Sequence, residues 1–147
     1  MPIEVRQLVA SDRAAWEPLW IGYQTFYKRK LSEEMIELSW HRFLDPTQPL
    51  DAYGAFDGER MVGLVHIAMQ TLTSFRRPAC YLSDLFTDES VRGKGIGRAL
   101  IEHVYKIAKE RDCERVFWLT HETNTAGRLL YDKVAERSGF IHYWKPL

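Results

Sequence analysis

A mixed α/β fold is what this sequence predicts. Strand-like and helix-like periodicities alternate along the chain in the order β α α β β β α β α β. A glycine-rich turn at 92–97 joins an apolar strand to an amphipathic helix. The 147 residues are 46% apolar and 27% charged, which suits one soluble domain spanning 1–147 with a core of its own.

Each element has a local reason. Residues 3–8 open with Ile3 and Val5 alternating with Glu4 and Arg6, the period of a strand. Ser11 and Asp12 offer an N-cap to a helix over 14–28, where Trp16, Leu19, Trp20, Tyr23, Phe26 and Tyr27 recur at helical spacing. A second helix starts near Ser32, with Glu33 and Glu34 at the positive end of its dipole, and ends before Pro46. Strands follow over 52–56, 61–72 and 79–86, the first two joined by the hairpin signal Asp57-Gly58. A third helix over 96–111 gathers Ile96, Leu100, Val104, Ile107 and Ala108 on one face. Its other face carries Arg98, Glu102, Lys106 and Lys109, with Glu102 and Lys106 spaced to pair. Residues 115–119 read as a buried strand, 125–136 as a fourth helix and 139–144 as a closing strand.

Charge and cysteine usage exclude several classes. Lys plus Arg and Asp plus Glu each number 20, so no net basic field exists to draw nucleic acid. The short runs Lys28-Arg29-Lys30 and Arg76-Arg77 read as solvated turns. No apolar run approaches the ~18 residues of a membrane helix, and the first residues lack a signal pattern. Cys80 and Cys113 have no paired spacing, as expected in a reducing, cytoplasmic compartment. The five histidines show no ligand spacing, so no metal is expected.

The segment 87–100, TDESVRGKGIGRAL, has the layout of an anion site. Glycines let backbone N–H groups approach a phosphate, and the helix N-terminus adds free donors and a positive dipole end. Arg92, Lys94 and Arg98 add charge. A P-loop is absent, and Gly93, Gly95 and Gly97 lack the third small residue of a dinucleotide turn. Arg92, Gly95 and Gly97 instead spell R-x-x-G-x-G, which resembles the coenzyme-A pyrophosphate motif of the GNAT N-acetyltransferases.

A second segment extends the resemblance. Asn124, Ala126 to Tyr131, and then Gly139-Phe140 look like the N-x-x-A-x-x-L-Y…G-F pattern of that superfamily. Tyr23, Phe26-Tyr27, Trp40, the run Tyr81-Leu82-Ser83-Asp84-Leu85-Phe86 and the pair Trp118 and Thr120 resemble the branch with fungal histone, polyamine and D-amino-acid acetyltransferases. The fungal members carry fewer glycines in the turn. The resemblance implies a mostly antiparallel twisted sheet flanked by about four helices, and acetyl-CoA as donor. Leu85, Phe86 and Thr87 would pair with the pantetheine arm beside a β-bulge. Arg92, Gly93, Lys94, Gly95, Ile96, Gly97 and Arg98 would hold the diphosphate. Asn124 and Tyr131 would contact the cofactor, Tyr131 as the acid that meets the leaving thiol.

The implied reaction is attack of an amine on a thioester through a tetrahedral intermediate. A lysine-like amine, with a pKa of about 10.4, must first lose a proton. Asp84 interrupts an apolar strand, where burial should raise its pKa toward the useful range and concentrate the rate loss of Asp84→Asn at low pH. Glu122, His121 and His66 are rival bases. Tyr23, Tyr27, Trp40 and Trp20 are candidates to line the acceptor pocket, as core residues or as contacts to a small-molecule or peptide amine. Glu33 and Glu34 are candidates to attract that amine. Two other readings use the same residues: a silent acyl-CoA sensor, and an assembly subunit. In the latter the apolar tail 140–144 is an edge-paired or exchanged strand of a homodimer.

Overall fold

The computed structural model describes residues 2–147. Five strands form one sheet in chain order: β1 Ile3–Gln7, β2 Leu50–Asp57, β3 Arg60–Gln70, β4 Ala79–Thr87 and β5 Arg115–Phe117. The first three pairings are antiparallel and β4–β5 is parallel. The helices are α1 Arg13–Phe26, α2 Glu33–Leu44, α3 Ile96–Glu110 and α4 Thr125–Val134. This is the mixed α/β architecture that the sequence predicts, with the mostly antiparallel sheet that the resemblance implies.

Both faces of the sheet are covered. On one, α3 presses Ile96, Leu100, Ile101 and Val104 against Val62, Val65, Ile67, Cys80 and Leu82. On the other, α1 and α2 bring Trp16, Leu19, Trp20, Tyr23, Ile36 and Trp40 onto Leu64 and Phe86. Burying each such aliphatic side chain contributes about 1.5–3 kcal/mol, which fixes which side of every strand faces which layer.

Two bulges reset that alternation. The β2–β3 register shifts between Ala55 and Phe56, which leaves Val62 as the extra residue of β3. The β3–β4 register shifts between His66 and Ile67, which leaves Ser83 as the extra residue of β4. Before the second bulge, Cys80 and Leu82 face α3; after it, Leu85 faces α3 and Phe86 faces α1. Strict alternation would have turned Asp84 toward α3. The bulge turns it toward α1.

Several local expectations hold and several do not. Ser32 caps α2 by accepting from Met35 N–H at 3.1 Å. Gly58 turns the β2–β3 hairpin at φ 63°. Asp12 stands at the N-cap of α1 without capping it, because its carboxylate takes Arg6 at 2.9 and 3.0 Å and Val9 N–H at 2.7 Å. Glu102 pairs with Arg98 at 3.0 Å instead of Lys106. β5 is three residues long and only half-buried. The expected strand at 139–144 is not formed. Gly139 sits at φ 87°, outside extended backbone, and Phe140 N–H donates to Ser138 Oγ at 3.1 Å, a local bond that replaces a ladder bond.

Candidate active site

β4 and β5 pair only from Ala79 to Tyr81, opposite Arg115 to Phe117. Beyond Tyr81 the two strands part, so the edge of β4 from Leu82 to Thr87 has no strand on its β5 side. Such an edge offers N–H and C=O groups to an extended ligand arm. Leu85, Phe86 and Thr87 lie on it, as the resemblance implies.

The chain then enters the glycine turn. Gly93 and Gly95 take φ 82° and 79°, the left-handed region that glycine tolerates. A Cβ at either would meet no atom within 4 Å, so the turn borders an open cradle. Gly95 is the N-cap of α3 with no side-chain cap, which leaves the first N–H groups of the helix facing that space. Arg92 is steered by its Nε–H, which donates to Thr87 O at 3.1 Å, and its guanidinium lies over Phe86 and Phe26 at 5.3 and 5.7 Å. Lys94 is exposed, and Arg98 leans along the helix toward Glu102. These groups fit a diphosphate through backbone donors, with Arg92 and Lys94 as the nearby charge. Gly95→Ala is therefore expected to cost about 1–2 kcal/mol of backbone strain and to weaken acetyl-CoA binding about tenfold. Calorimetric titration checks this; an unchanged Kd would move the diphosphate out of the turn.

Asp84 lies on the α1 side. Its Oδ2 is 3.0 Å from His66 Nδ1 and 3.2 Å from Ser83 Oγ, with the Tyr23 side chain close enough for each to shift the other's pKa. Burial works against its ionisation, yet its interactions with His66 first, and then with Tyr23 and Ser83, outweigh burial and hold its pKa below the ordinary carboxylate value. The expected upward shift is thus reversed, because the strand that buries Asp84 also surrounds it with donors. Tyr23 is driven far upward by burial and then by the Asp84 charge, so it stays a donor. Burial raises Tyr27 and Tyr81 as well, and the same charge adds to the effect in each.

Tyr131 stands on α4 with its ring edge-on to Trp118 at 5.4 Å. Burial, and then Tyr27, push its phenol up to about 12. Among the described residues its hydroxyl has no hydrogen-bond partner, unlike that of Tyr105, which donates to Val134 O at 2.7 Å. Asn124 caps α4 by accepting from Gly127 N–H at 3.2 Å, and its Nδ2 donates to Thr120 at 3.0 Å. A cleft of about 570 Å³ opens here, between Phe26, Tyr27, His121 and Asn124.

Of the sequence-derived candidates, Tyr27, His121 and Asn124 line this cleft. Tyr27 connects the Asp84 group to the cleft, with His121 at 5.8 Å between ring centres. Trp40 and Trp20 do not line the cleft: they are 4% and 7% exposed, and Trp40 packs on Trp16 at 4.8 Å. Glu122 is exposed, and its carbonyl accepts from Arg128 at 2.8 Å. Glu33 and Glu34 remain on the exposed first turn of α2. Sequence reasoning missed two partners. Trp16 hydrogen-bonds His66 across 50 positions, which no periodicity signals. Arg29 follows Lys28, whose left-handed φ of 56° ends α1 where a glycine is usual, and its Cζ lies 5.8 and 5.5 Å from the Tyr23 and Tyr27 rings.

Comparison with known proteins bears on the same residues. The model of the acetyltransferase (GNAT) family matches residues 14–135. The D-amino-acid N-acetyltransferase HPA3 of Saccharomyces cerevisiae is 38% identical over 144 residues, covering 96% of this chain and 89% of the relative. The uncharacterized N-acetyltransferase YhfO of Bacillus subtilis is 27% identical over 96% of this chain and 95% of its own. Among solved structures, a ribosomal-protein-alanine N-acetyltransferase from Brucella melitensis superposes with a TM-score of 0.84 at 21% identity over 100% of both chains. With the match spanning the glycine turn, the Asp84 strand and Tyr131 alike, the chain belongs to the GNAT family of N-acetyltransferases, which move an acetyl group from acetyl-CoA to an amine.

Proposed function

We propose that the acceptor is a small primary amine, and foremost the α-amine of a free amino acid. One observation carries this reading: the Asp84 carboxylate, its pKa held low by its partners, beside Tyr23, and the Arg29 guanidinium over the Tyr23 and Tyr27 rings. A carboxylate and a guanidinium grouped around the same tyrosine match the two charges of a zwitterion. The name of the yeast relative, a D-amino-acid N-acetyltransferase, supports the same class.

In this reading Asp84 holds the incoming ammonium, and the amine proton passes through it or water to solvent. The amine lone pair then attacks the acetyl carbon, the N–C bond forms, the now cationic nitrogen gives its second proton to water, and the C–S bond breaks with its electrons going to sulfur. The free N–H groups along the open edge of β4 polarise the acetyl carbonyl, and the Tyr131 hydroxyl donates to the sulfur. A thiol-release assay across D- and L-amino acids, polyamines, aminoglycosides and lysine peptides tests the assignment. Turnover concentrated on amino acids supports it, and preference for polyamines or peptides refutes the amino-acid reading. Acetyl-CoA binding without turnover on any amine would make the chain a regulatory CoA-binding module.

We also infer a homodimer of a single domain spanning 1–147, working in the cytoplasm. Phe140, Ile141, Tyr143 and Trp144 are 88, 74, 84 and 81% exposed, a contiguous apolar segment of the kind that pairs with a second copy. Among the described residues no helix is long and apolar enough to cross a membrane, and both cysteines are free, which supports the compartment. Sedimentation equilibrium should find a dimer that the double substitution Phe140→Asp, Trp144→Asp dissociates; a monomeric parent chain would exclude it.

A further inference from the structure

His66 is fully buried in the middle of β3, and a hydrogen-bonded group occupies each of its ring nitrogens. Trp16 Nε1 lies 3.0 Å from His66 Nε2, and Asp84 Oδ2 lies 3.0 Å from His66 Nδ1. An indole N–H only donates. Nε2 must therefore present its lone pair, so Nδ1 carries the proton and donates it to Asp84. The ring itself is clamped: Phe43 lies 4.2 Å away, Trp20 4.8 Å and Trp16 6.2 Å between centres. Trp16 is 0% exposed, and Trp40 backs it at 4.8 Å.

We propose that Trp16 and His66 form a buried positioning relay for Asp84, in which the Trp16 N–H fixes His66 as its Nδ1–H tautomer and that N–H aims the Asp84 carboxylate at the acceptor amine. The proposal rests on the reading that Asp84 faces the amine. It removes His66 from the rival bases, since neither ring nitrogen is free to take a proton from substrate. It also gives the Ser83 bulge a purpose, since the bulge sets Asp84 opposite His66 and on the α1 side. Without the relay the carboxylate would lose its 3.0 Å anchor and keep only the Ser83 hydroxyl at 3.2 Å, and small misplacements of a reacting group cost rate steeply.

Two measurements test it. The first is a long-range ¹H–¹⁵N spectrum of the intact protein at neutral pH. It should identify Nε2 of His66 as the nitrogen without a proton, and Trp16→Phe, which keeps an aromatic ring but has no N–H, should move the Nε2 resonance off its hydrogen-bonded position while Asp84 still holds the Nδ1 proton. A protonated Nε2 in the parent protein, or an Nε2 resonance unmoved in Trp16→Phe, overturns the lock. The second is a comparison of variants at position 66. An Asn side chain can place an N–H near the Nδ1 position, and Leu cannot. His66→Leu should lower kcat on the order of 10- to 100-fold with the KM for acetyl-CoA unchanged, and His66→Asn should recover most of it. Where His66→Leu fails to fold, His66→Gln replaces it, since its amide reaches the Nε2 position instead. Equal defects in His66→Asn and the non-donating variant, or no defect in either, overturn the relay. Wild-type turnover in Asp84→Asn would instead sink the reading beneath it, whatever the His66 tautomer proves to be.

Discussion

Asp84→Asn is expected to lower kcat about 100-fold or more, the range of a lost acid–base or charge-anchoring group. The loss should be nearly constant from about pH 5 to about pH 9, where an ordinary or depressed carboxylate is ionised. The sign follows from the shift. The folded pKa of Asp84 lies below its ordinary value, so its charge is present above that pKa and is lost only as pH falls through it. Wild type and variant should therefore converge in acid, below the unperturbed carboxylate range, and not near neutrality. A defect concentrated at low pH is not expected for either direction of shift: the carboxylate acts where it is ionised, and a raised pKa would only have moved the convergence up toward neutrality. Stability should follow the same direction. The carboxylate contributes above the unfolded pKa, and Asn, which turns an N–H₂ or a single acceptor toward His66 and Tyr23, costs about 1–3 kcal/mol there. A kcat ratio that collapses between about pH 6 and about pH 7 would show that Asp84 titrates in that range and acts as a conventional base.

Element order was legible because each signal is local. Ser32 before Glu33, Asp57-Gly58 between two apolar runs, and the glycines at 93–97 each impose geometry within a few bonds. The diphosphate cradle was legible for the same reason: backbone donors at a helix N-terminus need only glycine and a helix. The Asp84 environment was not, because its direction depends on pairing. Ser83 is an unremarkable residue until β3 fixes the register and leaves it unpaired, and that one-residue slip carries Asp84 to the opposite face. The Trp16–His66 bond has the same origin: an indole on α1 and an imidazole on β3 meet only once the helix lies across the sheet. The apparent closing strand failed for the complementary reason. Apolar residues at 140–144 satisfy a strand pattern, but a strand exists only with a partner edge, and the described residues supply none to them.

The aromatic residues of α1 divide along the same line. Helical spacing put Trp16, Trp20, Tyr23 and Tyr27 on one stripe, and the stripe runs from core to cleft as α1 leaves the sheet. Position along the helix, more than residue type, decides which ring packs and which meets ligand. Tyr23 sits at the crossover: 6% exposed, close to Asp84, its ring beneath Arg29.

Tyr131→Phe tests the other end of the reaction. A tyrosine held for packing normally gives its hydroxyl a protein partner, as Tyr105 does on Val134. Tyr131 is packed on Trp118, yet its hydroxyl has no such partner among the described residues, so only the ring is needed by the fold. Phe keeps the ring; stability and the Kd for acetyl-CoA should change less than about twofold, while kcat falls about 10- to 100-fold. With its pKa pushed up to about 12, the phenol is protonated throughout the working range, so the defect should not vary with pH below that value. A phenol of that pKa is a weaker acid than a thiol of about 8.5. Its role is then to donate a hydrogen bond to sulfur as charge develops, with protonation of the thiolate completed from solvent. Rapid-mixing measurement of thiol release with saturating acetyl-CoA separates the cases. A slowed chemical step with unaltered donor affinity assigns the hydroxyl to the sulfur. A normal step with weakened affinity would make Tyr131 a binding residue alone, and leave the departing thiolate to the backbone donors and to water.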